Sequence, residues 1–229
     1  MKRCVANNTT PLTEPPALTL QQFSGQAAKW YQKYAHSPYF DPYIRLEQKL
    51  SQKASDEGYL ELVDLADIAA WGGNQRAIKQ RLLRSNNEGE VRQATLEAIQ
   101  RLDKPSEAIR VVLRINQWGL TYASKTLRCV CPQNYPALDQ KLRKAISKAL
   151  LPTIYDGNID SMIRGYLRFL KICREIERQV TTLGPRSGGV WFLADIEMAL
   201  FQFVWDGGRL ISSAYYFPGV SNDRRRATV

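Results

Sequence analysis

Two short segments of the chain carry residues suited to act on a charged polymer. The first reads Ile115-Asn-Gln-Trp-Gly119-Leu-Thr-Tyr-Ala-Ser-Lys125-Thr-Leu-Arg128. Its pattern predicts a helix, a tight turn at Gly119 and a second helix with Thr121 as N-cap. Backbone N–H groups around such a turn lack helical partners, and the positive end of the second helix adds to them, so they form a cradle for one phosphate. Gly119 allows the backbone a close approach. Lys125 and Arg128 follow on that helix, placed to neutralise neighbouring phosphates. The second segment reads Cys131-Pro-Gln-Asn-Tyr-Pro-Ala-Leu-Asp139-Gln-Lys141-Leu-Arg-Lys144. Here a proline-bearing loop delivers an aspartate to the start of a basic helix. The helix dipole favours the ionised form of Asp139, which suits a carboxylate meant to be negative at neutral pH; duty as a helix N-cap alone would explain it too.

The rest of the composition narrows the chemistry. His36 is the single histidine, so zinc sites of the Cys/His type, two-histidine metal motifs and histidine-based nucleophile triads are largely excluded. His36 lies in the aromatic stretch 30–40 and reads as a packed structural residue. Cys4, Cys129, Cys131 and Cys173 do not form a paired framework, which fits a reducing compartment. Carboxylates, lysines and hydroxyls are left to carry any reaction. No metal or other cofactor is expected.

The 32 Lys and Arg against 22 Asp and Glu give a net charge of +10, which favours encounter with polyanions. Nucleic acid is the leading partner class. With 44% hydrophobic residues in 229, the chain can bury a core of its own. No apolar run approaches the roughly 20 residues of a bilayer span, so the expectation is a cytoplasmic monomer without membrane contact.

The elements that must position these segments read as helices throughout. Apolar spacing predicts them over 18–35, 42–55, 59–71, 74–84, 88–102, 106–118, 121–130, 137–150, 159–182 and 193–206. Gly72-Gly73-Asn74, Lys104-Pro105-Ser106 and Asp156-Gly157-Asn158 punctuate them. The fold class is all-α, a two-lobed multi-helix array. Residues 1–16 read as a flexible arm, 17–215 as the helical domain with hairpin and aspartate loop at about 106–150, and 216–229 as a basic tail bearing Arg224-Arg-Arg226. A short extended piece is expected at 214–217.

Three further features have both a structural and a functional reading. The helix over 74–84 holds four basic residues and no acid, so it lines a duplex or forms a solvated face. Asp64 and Asp67 fit an amphipathic core helix better than a metal site. In the aromatic tract 188–205, Asp195 and Glu197 need partners because an unpaired buried carboxylate costs several kcal/mol or takes up a proton. Arginine salt bridges locking that helix to the core are the favoured reading. The other is that it closes over a flipped base and offers an aromatic stacking face.

The order of the pieces, a hairpin with Gly119, a short helix, a proline loop and then Ala-Leu-Asp139 before Lys-Leu-Arg-Lys144, resembles the helix-hairpin-helix (HhH-GPD) DNA glycosylase superfamily, of the 8-oxoguanine and adenine DNA glycosylase kind. Residues 136–144 are similar to the Val-Leu-Asp-Gly-Asn-Val-Lys-Arg run of the adenine-excising branch. The likeness is close over roughly 115–150. It implies a protein that binds duplex DNA and excises a flipped damaged or mismatched base in base-excision repair, with Asp139 stabilising the cationic sugar or activating the nucleophile. It also implies a DNA-contacting set of Gln117, Trp118, Gly119, Thr121, Tyr122, Ser124, Arg128 and Lys141. Thr121 stands where lyase-active members carry their Schiff-base lysine, so lyase activity is in doubt; Lys125, one turn on along the same face, is a substitute amine or a phosphate contact. Gln117 replaces the hairpin's usual first glycine, and the absence of a four-cysteine cluster implies no iron–sulfur cluster. The alternative is a non-catalytic helix-hairpin-helix DNA-binding protein in defence or regulation.

Overall fold

The computed structural model describes residues 16–73 and 77–213. Among them are eleven α-helices: α1 (Leu20–Ser24), α2 (Ala27–Ala35), α3 (Phe40–Glu57), α4 (Leu62–Trp71), α5 (Ile78–Ser85), α6 (Glu88–Ile99), α7 (Pro105–Val112), α8 (Leu120–Val130), α9 (Gln140–Ala145), α10 (Ile159–Gln179) and α11 (Leu193–Trp205). Strand pairing is confined to β1 (Ala17–Leu18) and β2 (Arg209–Leu210), which run parallel. The protein is all-α. The expectations for the arm ahead of residue 16, for Arg76, for the extended piece at 214–217 and for the basic tail fall outside the described residues.

Local chemistry sets the helix ends. Thr19 begins α1 with a capping box, Asn158 caps α10 through Ser161 N–H, and Pro105 opens α7 where its missing N–H costs nothing. The expected helix over 18–35 is broken at Gly25–Gln26, and the one over 106–118 ends at Val112, after which turns carry the chain to residue 117. The expected helix over 137–150 is only α9, because Ile146 turns extended to bridge Leu210 of β2.

The buried apolar residues form one connected cluster. Within it α11 lies against α2 and also touches α9 and α10, while α8 is surrounded by α3, α4, α7 and α10. The two candidate segments therefore flank a helix packed against four others. His36 is a correction: it is exposed rather than packed, its Nδ1 2.6 Å from Gln32 O at the end of α2. Asp64 is buried in an ion pair with Lys53 at 2.7 Å, and Asp67 pairs with Lys49 at 2.9 Å, which accounts for both without a metal. No helix among the described residues is long and apolar enough to cross a membrane.

Candidate functional site

The turn between α7 and α8 is fixed from two sides. Asn86 accepts from Asn116 N–H at 2.9 Å and donates to Asn116 O at 3.0 Å, tying the turn to the end of α5. Trp118 is buried against Tyr122, and its Nε1–H donates to Thr126 Oγ1 at 3.0 Å. Gln117 holds the left-handed conformation, with φ of 64°. That region suits glycine, the residue the resemblance leads one to expect there, and costs other residues roughly 1–2 kcal/mol. Gly119 is extended, with φ of −70°, and serves as N-cap of α8 in place of Thr121. A Cβ at 119 would meet nothing within 4 Å, so this backbone faces open space. Among the described residues, the N–H groups of Gly119, Leu120 and Thr121 have no hydrogen-bond partner. The unpaired amides thus span 119–121.

The aspartate loop is held along its length. Leu193 N–H and Ala194 N–H donate to Gln133 O and Pro132 O, Tyr166 Oη–H donates to Pro136 O at 2.9 Å, and Leu138 N–H donates to the buried Ser124 Oγ at 2.9 Å. Ser124 Oγ–H in turn donates to Thr121 O at 3.0 Å. Ser124, expected among the DNA contacts, is buried between the hairpin helix and the loop and sets their spacing. Replacing Ser124 by Ala orphans the buried Leu138 N–H, and a loss of about 1–3 kcal/mol of stability is expected in denaturant melts. Recovery in Ser124→Thr, which keeps the hydroxyl, would show that the bond and not the volume is responsible.

Asp139 is the N-cap of α9: its Oδ1 accepts from Leu142 N–H at 2.8 Å, and Oδ2 has no hydrogen-bond partner among the described residues. The N-cap reading is what the contacts show, and capping occupies one oxygen and leaves the other open. Asp139 faces a cleft of about 1,030 Å³, which Lys125, Thr121, Tyr122 and Gly119 also line. The cleft brings together the carboxylate, the candidate amine and the unpaired amides. Gln117 and Lys141 stand exposed at its edge, with Lys141 Nζ 3.3 Å from the centroid of Trp205.

Lys125 occupies a confined position. Its Nζ lies 4.6 Å from the centroid of Trp71 and 5.5 Å from that of Tyr122, and a Cβ on Gly72 would come within 2.9 Å of it. It makes no ion pair with any described residue. Burial pushes its pKa down, opposed chiefly by the Asp139 carboxylate. An amine so placed loses its proton more readily than a surface lysine.

Arg128 and Trp118 require correction as DNA contacts. Arg128 is 1% exposed, stacked at 3.9 Å on the Tyr43 ring, with Nη1 2.8 Å from Glu197 Oε2. It serves Glu197, and Trp118 serves the core. The pair is imperfect: neither Glu197 Oε2 nor Arg128 Nε makes a hydrogen bond to a described residue. Glu197 lies at the floor of the cleft. Burial raises its pKa to about 7 in spite of Arg128, with the Asp139 charge adding to the rise.

The sign of the resulting pH dependence follows directly. An unfolded glutamate titrates near 4.5 and the folded Glu197 at about 7, so between these values the folded chain binds more protons. Stability contributed by Glu197 is then lost as pH rises from about 5 to 7 and stays level above. Glu197→Gln should flatten that slope in denaturant midpoints measured across pH 5–8. A slope unchanged by the substitution would assign it to other groups.

The sequence reading did not assign the cleft walls. Trp71, Phe201 and Trp205 line it, Trp205 being 55% exposed, and Arg81, Lys33, Arg143 and Lys144 stand around it. Lys33 and Arg143 are paired with Asp206 and Asp156. The aromatic tract of α11 was the available signal, and its salt-bridge reading is what the contacts show: Arg186 grips Asp195 at 2.8 Å and Arg128 faces Glu197. Phe201 and Trp205 of the same helix line the cleft. No group of three or more His, Cys, Asp or Glu side chains able to hold a metal occurs among the described residues.

Fold and site together define an all-α protein with an aromatic, charge-bearing cleft at a helical hairpin. Comparisons with models of protein families, with curated proteins and with solved structures gave no match.

Proposed function

We propose that the chain binds duplex DNA at the hairpin and excises a damaged or mismatched base flipped into the cleft, as a DNA glycosylase-like protein. The observation that carries this reading is the convergence of the unpaired amides of 119–121, the open Oδ2 of Asp139 and the aromatic rings of Trp71, Tyr122 and Phe201 on one cavity. Its volume, about 1,030 Å³, accommodates a nucleotide, since small-ligand pockets run from about 300 to 1,000 Å³.

The chemistry fits the groups present. When the bond from the sugar carbon to the base nitrogen breaks, the electron pair leaves with the base and positive charge develops on the sugar. Asp139 stabilises that charge and takes the proton of the attacking water. Glu197, held protonated by burial up to about neutral pH, supplies a proton to the departing base. Three amides at the start of α8 hold a backbone phosphate of the everted nucleotide. Lys125 is the amine nearest this chemistry, with Thr121 in the position of the family's lysine.

Release of free base from a panel of lesion-bearing and mismatched duplexes tests the proposal. Release by the wild-type chain and none by Asp139→Asn supports it; salt-sensitive duplex binding without release from any substrate leaves only the non-catalytic DNA-binding alternative.

A further inference from the structure

Helix α10 has a feature that the cleft does not use. Beyond Asp160, its exposed positions are Arg164, Arg168, Lys171, Arg174 and Arg178, and all five are basic. The spacing of four, three, three and four residues sets them on one line. At a rise of 1.5 Å per residue the row is about 21 Å long. Asp160 at the start of the helix is drawn off by Arg110 at 2.9 Å, and the half-buried Glu175 pairs with Arg178 at 2.9 Å. Arg168 donates to Leu150 O at 2.8 Å. Arg164, Lys171 and Arg174 make no ion pair or hydrogen bond through their side chains with described residues.

A helix face that needs only water gains from mixed charge, with acids and bases three or four residues apart. Along this row the exposed neighbours are all basic, and the acids at its ends, Asp160 and the half-buried Glu175 and Glu177, offset only part of the repulsion. Like charges at those spacings repel and destabilise the helix that bears them, so the row costs the free protein stability and recovers it only against an external polyanion. A duplex carries one charge per 1.7 Å of axis, so about 21 Å of it presents about a dozen phosphates to the five cations. The row has no exposed aromatic within it on which unpaired bases would stack, which favours a backbone held by charge. At its far end, Arg174 and Arg178 border a groove of about 360 Å³ that Gln133, Asn134 and the half-buried Glu177 also line, so the row's phosphate contacts fall on its exposed length and not in this groove. None of the five lines the cleft.

We infer that the exposed face of α10 is a second binding surface for duplex DNA, so that one molecule can hold two duplex segments, one at the hairpin and one along this ridge. The ridge rests on its own charges and not on the chemistry assigned to the cleft; only the count of two rests on the cleft reading.

The test uses the full chain and a short unmodified duplex, with stoichiometry from sedimentation and affinity from anisotropy over a range of salt. The variant is Arg164→Gln with Lys171→Gln and Arg174→Gln, which removes no ion pair with a described residue and, by relieving repulsion along the row, should melt at or slightly above the wild type. Wild-type protein is expected to saturate with two duplexes and the variant with one. At salt low enough for the variant's ridge still to bind, the slope of log affinity against log salt for that class should be smaller by about 2.7, about 0.9 for each cation removed. An unchanged stoichiometry and slope would overturn the ridge, as would equal binding of single strands or of acidic lipid vesicles. Should neither protein release any base while the step from two duplexes to one persists, the cleft reading fails and the ridge stands.

Discussion

Asp139→Asn is expected to leave the fold standing and to slow base release by about 10²–10⁴-fold. The two halves of that expectation come from the two oxygens of one side chain. Oδ1 caps α9 through Leu142 N–H, and asparagine caps a helix about as well as aspartate, so thermal melting should be nearly unmoved. Under the proposed function the open Oδ2 carries the charge that meets the sugar, and the amide cannot supply it. Asp139→Ala should differ by adding a stability loss of about 1 kcal/mol for the missing cap. Equal base release by Asp139→Asn and the wild type would make Asp139 a cap and nothing more.

Arg128→Met is expected to cost about 3–5 kcal/mol, the usual loss when one member of a buried ion pair is removed. Glu197 would remain at the floor of the cleft, 5% exposed, with no cation in contact. The loss should be smaller at pH 5 than at pH 8, because at the lower pH Glu197 takes up a proton and becomes neutral. Adding Glu197→Gln to Arg128→Met should recover much of the stability, and the double-mutant cycle then measures the coupling. A loss under 1 kcal/mol at pH 8 would mean that Arg128 is held by its stacking on Tyr43 alone.

The approximate positions of most helices were legible in the sequence because apolar spacing is a property of each segment by itself; the break at Gly25–Gln26, which makes eleven helices of the ten expected, was not. Proline at 105 and asparagine at 158 marked boundaries for reasons that need no tertiary contact. The segment bearing Asp139 was legible for the same reason: a loop rich in proline that ends on a capping residue. Arg128 was not. Spacing puts Thr121, Lys125 and Arg128 on one face of α8, and it says nothing of where that face leads. Seven residues on from Thr121, about 10 Å deeper along the axis, Tyr43 from α3 and Glu197 from α11 meet the guanidinium and close it off.

The turn itself misled in a related way. Gly119 attracted attention as the residue built for a tight turn, yet the left-handed position is at Gln117 and Gly119 is extended. Asn86, thirty positions upstream of Asn116, holds the turn in shape, a contact that local pattern does not contain. Ser124 was read as a contact to DNA because it lies on the hairpin helix; its partner Leu138 appears only once the loop has folded back.

The most direct measurement is a structure of Asp139→Asn bound to a duplex that carries a released-base candidate. The account predicts phosphate oxygens within hydrogen-bond distance of the amides of 119–121 and an everted nucleotide between Trp71, Tyr122 and Phe201. DNA bound elsewhere on the protein, with all its bases stacked and those amides facing water, would contradict it.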